Sequence, residues 1–283
     1  MVKVIRRDWN ETANAAGGIY SNLTDMSKWA IMLLNKGKYG KDLNKNLFSN
    51  DVQEEMWAPQ TIISVRGASP YNTHFASYGL GWFLRDEKGY KVATHTGGLA
   101  GIVTQVTLIP ELKLGIIVFT NQQVGAAFSA ITNTIKDSYY GIKGNDWVKS
   151  YSDRVSKATA EAKTITDKIW KDIVAQQKIT SPPDVNNFTG TYNDKWFGDV
   201  LISVKNGRMW FDSKRSFLLT GEMFPYKGTT FIVKWNDRSM DADAFVIFTM
   251  DDNGKASSIK MKAISPLTDF SFDFHDLDLN RVK

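Results

Sequence analysis

The sequence predicts an α+β unit over its first half and an all-β unit over its last hundred residues, and three observations carry that reading. Up to about residue 143, helical apolar spacing alternates with short strand-like runs rich in glycine. From Asn145 to about Gln177 the chain is polar, helical in pattern and free of Gly and Pro. After Ser181-Pro182-Pro183-Asp184 come short strand-like runs split by turn residues. The prolines stop the helix, since each removes a donor and pushes its predecessor out of the α region. The expected boundaries are a first domain over 1–143, a helical linker over 144–183 and a β domain over 184–283.

Taken in order, the first helix is expected from Leu23 to Asn35. Asn22 or Thr24 caps it, Met26, Trp29, Ala30, Leu33 and Leu34 give the apolar stripe, and Gly37 ends it. A second helix is expected over Ser49–Trp57. Strands are expected over Tyr78–Leu84, Tyr90–His95, Ile102–Ile109 and Leu114–Thr120, the last two joined by a turn at Glu111-Leu112-Lys113 after Pro110. Val124–Tyr139 returns to helical spacing, which makes this part an antiparallel sheet with helices on its face. In the β domain, Asn206-Gly207 and Asp252-Asn253-Gly254 are hairpin signals between strand runs. Phe270, Phe272 and Phe274 alternate with Ser271 and Asp273, so a strand is expected there with three rings on one face. Short strands at this spacing favour a small barrel or sandwich.

Composition narrows the chemistry. The net charge of +5 is spread along the chain and comes with no RNA-binding motif, so nucleic acid is not an expected partner. There is no cysteine, which removes disulfides, thiol nucleophiles and Cys-ligated zinc. The three histidines, His74, His95 and His275, stand at no ligand spacing, so no metal is expected. No apolar run reaches the ~18 residues of a membrane span. The N-terminal residues Met1 to Asn10 carry charge without an apolar stretch and do not read as a secretion signal. No phosphate-binding glycine loop and no Gly-x-Ser-x-Gly elbow is present, and no cofactor is expected.

The most informative stretch is Tyr78-Gly-Leu-Gly-Trp82, followed by His95-Thr96-Gly97-Gly98, Gly101, Pro110 and Phe119-Thr-Asn121. His95-Thr96-Gly97-Gly98 reads as a strand end whose glycines admit close approach of another chain or ligand and can turn an N–H outward, as an oxyanion hole requires. An ordinary strand-to-loop turn, with His95 a satisfied imidazole, accounts for the same residues. Ser257-Ser-Ile-Lys260 has Ser-x-x-Lys spacing but lies in a strand run of the β domain, where residues three apart face opposite sides. Tyr20-Ser21-Asn22 has Tyr-x-Asn spacing but sits where a helix start with an Asn cap is expected.

On these residues, the first 143 resemble the C-terminal half of the catalytic domain of serine β-lactamase-like, penicillin-binding-protein-like hydrolases, the group of class C β-lactamases, esterases and D-aminopeptidases. Ala16-Gly-Gly-Ile-Tyr-Ser-Asn-Leu-Thr-Asp-Met-Ser-Lys-Trp29 is similar to that family's glycine-led helix start, and Tyr78-Gly-Leu-Gly-Trp82 is typical of it. His95-Thr96-Gly97 falls at its third motif, Lys-Thr-Gly or His-x-Gly. The resemblance implies that Gly98 supplies a backbone N–H of the oxyanion hole and that His95 positions the substrate or acyl group. It also implies a Ser-x-x-Lys motif upstream of Ala16, and the fifteen residues before it do not contain one. The chain is therefore expected to lack its nucleophile and to need a missing N-terminal segment or another copy of itself as partner.

Residues 184–283 resemble the lipocalin-like barrel that follows the catalytic domain in some relatives, through Phe188-Thr-Gly-Thr-Tyr192, Trp210-Phe211, Phe231-Ile-Val-Lys-Trp235, Asp252-Asn-Gly254 and Asp269-Phe-Ser-Phe-Asp273. A barrel of this size is expected to fill its interior with side chains and to serve packing or assembly. Two functions follow: part of a serine hydrolase acting on an ester, amide or peptide bond, or a non-catalytic assembly or binding protein. The exposed sheet that a missing half would leave is expected to drive self-association. The resemblance places the protein in the periplasm or outside the cell, and its substrate is not legible.

Overall fold

A computed structural model describes residues 14–66, 70–99, 101–179, 183–269 and 271–282. By compactness the chain divides into two units, Met1–Val155 and Ser156–Lys283.

The first unit opens with a single helical turn, α1 (Asn14–Gly17), and then α2 (Leu23–Leu34). Asn22 caps α2 as expected: its side chain accepts the Asp25 N–H, satisfying a donor that the first turn cannot. At the other end Lys36 and Gly37 take positive φ, and the Gly37 N–H returns to the Met32 carbonyl. A β-carbon on Gly37 would lie 2.3 Å from the Phe48 carbonyl oxygen, so the chain can pass there only with glycine. A two-strand ribbon, β1 (Lys38–Tyr39) with β2 (Lys45–Asn46), leads to α3 (Asn50–Met56), capped by Ser49.

Six antiparallel strands follow in sequence order: β3 (Thr61–Ile63), β4 (Ala76–Tyr78), β5 (Phe83–Glu87), β6 (Tyr90–Leu99), β7 (Ile102–Ile109) and β8 (Leu114–Phe119). Helix α4 (Gly125–Tyr140) comes next, and then α5 (Trp147–Ile179), whose first turns count with this unit. Period-2 alternation splits the sheet's side chains between two cores. Ala93, Val106 and Leu108 pack with Ala30, Met32 and Leu33 of α2 and with Trp57. Val92, Ile109, Leu114, Ile116 and Val118 pack on the opposite face with Phe128, Ile135 and Tyr140 of α4.

Two strand expectations need correcting. Tyr78–Leu84 is not one strand. β4 stops at Tyr78 and β5 starts at Phe83, and Gly79-Leu80-Gly81-Trp82 is the turn between them. The Gly79 N–H donates to the Trp82 carbonyl at 2.8 Å, and Gly81 has φ of 81°. A β-carbon on Gly79 would stand 2.4 Å from the Met56 carbonyl oxygen, so both glycines are demanded by the backbone. The turn drops Trp82 into the core, stacked on Trp29 at 5.6 Å and edge-on to Trp57 at 6.0 Å. Conversely, β6 does not end at His95 but runs to Leu99, because β7 pairs along its whole length.

The second unit holds the rest of α5 and a closed antiparallel barrel of eight strands. These are β9 (Gly190–Asp194), β10 (Gly198–Lys205), β11 (Arg208–Ser213), β12 (Thr220–Lys227), β13 (Thr230–Trp235), β14 (Ala244–Met250), β15 (Ala256–Ala263) and β16 (Leu279–Arg281). Each pairs with the next, and β16 returns to β9. Asn206 and Gly207 both take positive φ, the two-residue hairpin expected from Asn-Gly. The interior is filled by Tyr192, Phe211, Phe231, Trp235, Phe248 and smaller apolar side chains, as the barrel's size predicts. Outward residues of β12 to β14 are also apolar: Phe224, Ile232 and Phe245 pack with Ile169, Trp170 and Ile173 of α5, so one helix face covers this wall.

The Phe188-Thr-Gly-Thr-Tyr192 motif has a local reason. Arg281 stacks on Tyr192 at 5.0 Å and donates to the Asn187, Thr189 and Ala256 carbonyls and to the Tyr192 hydroxyl. A β-carbon on Gly190, where φ is 148°, would lie 2.4 Å from the Arg281 guanidinium. Gly190 thus makes room for the clasp that ties the last strand to β9 and β15. The expected strand of three phenylalanines does not form: Phe272 lies in a loop and Phe274 starts a 3-10 turn at Phe274–Asp276, while Phe270 falls outside the described residues. Asp269 accepts the Ser271 N–H and hydroxyl, a local turn that competes with strand pairing.

Candidate functional site

The second half of β6 carries His95, Thr96, Gly97 and Gly98. The direction of their backbone groups follows from the ladder. The Thr120 N–H donates to the Val103 carbonyl, so Val103 turns its main-chain groups toward β8. Alternation then turns Ile102, Thr104 and Val106 toward β6, where they face Leu99, Gly97 and His95. Thr94, Thr96 and Gly98 point to the other edge. Thr94 faces Phe83, the first residue of β5. Beyond it no described strand covers β6, so the main-chain groups of Thr96 and Gly98 line an open edge.

The two glycines differ. A β-carbon on Gly97 would meet Thr104 Oγ1 at 2.6 Å, so the cross-strand neighbour excludes a side chain there. A β-carbon on Gly98 would meet nothing within 4 Å. Packing therefore explains Gly97 and leaves Gly98 unexplained.

His95 is half-buried. Its Nε2 lies 2.9 Å from the Tyr78 hydroxyl, and its Nδ1 lies 2.6 Å from the Thr96 carbonyl oxygen. Phe83 packs edge-on to Tyr78 at 4.8 Å and against the imidazole at 5.7 Å. The glycine turn after β4 brings Tyr78 and Phe83 together, and the β5–β6 pairing sets both beside His95. Tyr78 is the residue that sequence reasoning missed. The signal was in hand, since Tyr78 leads the Tyr-Gly-Leu-Gly-Trp block.

The other sequence candidates are not brought here. Ser257 donates its hydroxyl to the Thr249 carbonyl, and Lys260 pairs with Asp278 at 2.6 Å, both on the barrel. Asn22 is occupied as the cap of α2. Asp273, His275 and Asp276 gather on the barrel's 3-10 turn and could offer ligand atoms to an ion, but His275 and Asp276 are exposed. Among the described residues no helix is long and apolar enough to cross a membrane.

A second polar cluster lies under α4. Lys136 Nζ donates to both Glu87 oxygens at 3.0 and 2.8 Å, and the Tyr140 hydroxyl donates to the same carboxylate at 3.1 Å. Arg85 Nε stands 2.8 Å from Glu87 without the alignment of a hydrogen bond. Burial outweighs the pull of Glu87 and lowers Lys136 to about 8. Burial also raises the Tyr71 and Tyr140 hydroxyls well above the ordinary tyrosine range. Asp137 accepts from Tyr71, Asn145 and Trp147, so α4, β5 and the start of α5 are tied by paired groups. Lys136 and Glu87 are each 1% exposed, which makes this a structural tie rather than a reachable site.

Residues 1–139 match the family model described as Beta-lactamase, and residues 175–281 match one described as a domain of unknown function, DUF3471. Two curated relatives are fungal. An unguisins hydrolase of Aspergillus campestris is 23% identical over 63% of this chain and 32% of its own length, and one of Aspergillus violaceofuscus is 27% identical over 52% and 28%. The chain thus spans about a third or less of these relatives. Among solved structures, an octameric penicillin-binding protein homologue from Pyrococcus abyssi aligns with a TM-score of 0.36 at 15% identity, over 92% of this chain and 46% of that one.

Proposed function

We propose that this chain, a β-lactamase-like domain joined to a closed eight-stranded barrel, is the C-terminal portion of a serine hydrolase that cleaves an ester, amide or peptide bond through an acyl-enzyme. The observation that carries the proposal is the open edge of β6. There the Gly98 N–H points away from β7, on a glycine that packing does not require, beside the His95–Tyr78 pair. An N–H held at a fixed edge can stabilise the negative charge that grows on a carbonyl oxygen under nucleophilic attack, without reorganising when the charge appears. The family match over residues 1–139 supports reading His95-Thr96-Gly97 as the third motif, with Gly98 as the oxyanion donor.

The nucleophile is assigned to a segment other than residues 14–139, because no Ser-x-x-Lys spacing occurs there. That segment would supply the serine, with the lysine to activate it. The first test is intact-mass spectrometry of this chain after a fluorophosphonate and, separately, a penicillin. The proposal expects no adduct from folded protein; an adduct on a serine of the first unit would overturn the assignment.

A second reading is non-catalytic, with the packed barrel and the half-domain serving assembly, and an interior occupied by large apolar side chains favours it for the barrel itself. The two separate on the longer gene product: a reactive serine in a Ser-x-x-Lys motif supports the hydrolase. The lipocalin-like role of the barrel in assembly, self-association and a location in the periplasm or outside the cell belong to this proposal as well.

A further inference from the structure

Both ring nitrogens of His95 are engaged within the protein, and the two partners dictate where its proton sits. The Thr96 carbonyl can only accept, so the 2.6 Å contact requires Nδ1 to carry the hydrogen. In the neutral ring Nε2 is then an acceptor, and the Tyr78 hydroxyl at 2.9 Å must be the donor. The Thr96 carbonyl belongs to the open edge, so the imidazole also occupies one of the acceptors that an edge-bound molecule would otherwise meet. Phe83 holds the ring from a third side at 5.7 Å.

We infer that Tyr78 is a positioning residue that selects the Nδ1–H tautomer of the neutral His95 ring, and that the pair meets a ligand through the Tyr78 oxygen rather than through a ring nitrogen. The tyrosine oxygen keeps its acceptor capacity while its hydrogen is given to Nε2. When a proton reaches that oxygen, the hydroxyl hydrogen passes to Nε2 and the imidazole becomes the cation, so proton count and charge balance across the pair. His95 then acts as a proton reservoir behind Tyr78. The role in catalysis rests on the hydrolase reading, whereas the tautomer does not.

The test reads the tautomer in the whole chain without turnover. With ¹⁵N-labelled histidine, long-range ¹H–¹⁵N correlation distinguishes pyrrole-type from pyridine-type nitrogens, and His74→Gln and His275→Gln variants assign the His95 signals. Two hydrogen bonds that both select one form predict a preference of roughly tenfold or more for Nδ1–H. Tyr78→Phe removes one of them while keeping the ring against Phe83, and should cut that preference several-fold. Diethyl pyrocarbonate gives a second readout, since it needs a free unprotonated nitrogen. His95 should react several-fold more slowly than exposed His275, and Tyr78→Phe should speed it. A wild-type His95 in the Nε2–H form, or a tautomer ratio and acylation rate indifferent to Tyr78→Phe, would overturn the inference. Failure of the hydrolase reading would show instead as an absent acyl adduct in the longer gene product, with the tautomer intact.

Discussion

Glu87→Gln removes a negative charge from a place that water does not reach. Lys136 sits at about 8 even with its partner, against 10.5 in the open, so the fold already bears the cost of holding it charged. At about 1.36 kcal/mol per unit, that cost is on the order of a few kcal/mol. Without the carboxylate its affinity for the proton falls further. That cost cannot grow past the point at which Lys136 gives up its proton, so Lys136 itself adds on the order of 1 kcal/mol more. The bonds from Lys136 and Tyr140 to Glu87 also lose their charge assistance, at about 1 kcal/mol each. The expected loss is about 3 kcal/mol, at the lower end of what breaking a buried pair costs.

The double variant Glu87→Gln/Lys136→Met should recover most of that loss, because replacing both charges removes the desolvation cost with the attraction. The chain has two units, so one melting curve will not isolate the effect. Native-state hydrogen exchange of peptides covering residues 83–95 and 125–140 localises it, with barrel peptides as an unchanged control. A single variant that loses under about 1 kcal/mol, or a double variant as damaged as the single, would refute the account.

Four further outcomes are expected. Stability should rise from about pH 8 to 10, because the unfolded chain still holds on Lys136 a proton that the folded chain has shed; Tyr71 and Tyr140, raised by burial, reverse the trend above pH 10, where the unfolded tyrosines ionise first. Urea unfolding of the first unit, followed by a signal separate from the barrel's, should show a gain of about 2 kcal/mol across that window, absent in Lys136→Met. Gly190→Ala should cost the barrel about 2–4 kcal/mol by displacing Arg281 and straining a positive φ, read from barrel exchange. Leu33→Ala should cost the first unit about 2–5 kcal/mol in the same exchange measurement, as a fully packed contact between α2 and the sheet is lost. Gly98→Pro removes an N–H on the open edge, so hydrogen exchange of first-unit peptides should barely change; in the longer gene product, hydrolysis of an activated ester should fall by about 10²–10³.

Much of this fold was legible because its signals are local. Asn22, Ser49 and Asn206-Gly207 did what cap and turn chemistry says they should. The misses were tertiary. Tyr78 to Leu84 has strand-like composition, but Gly79 answers to the Met56 carbonyl, 23 residues away, which no local pattern reveals. The extension of β6 through Gly97-Gly98 depended on β7 pairing along it, which overrode the low strand propensity of glycine. Neither Glu87 nor Lys136 stands out in the sequence, and only the fold shows them buried. A trace existed at Asn133, Lys136, Asp137 and Tyr140, polar groups at helical spacing on an inward stripe. At the site, His95 to Gly98 could be singled out from sequence, but the open edge and the Tyr78 contact required the sheet.

The most direct measurement is fluorophosphonate labelling of the longer gene product, with the modified residue mapped by peptide mass spectrometry. The account predicts one adduct, on the serine of a Ser-x-x-Lys motif outside these 283 residues, and loss of that adduct in Gly98→Pro. An adduct on a serine within these residues, or none at all from folded full-length protein, would contradict it.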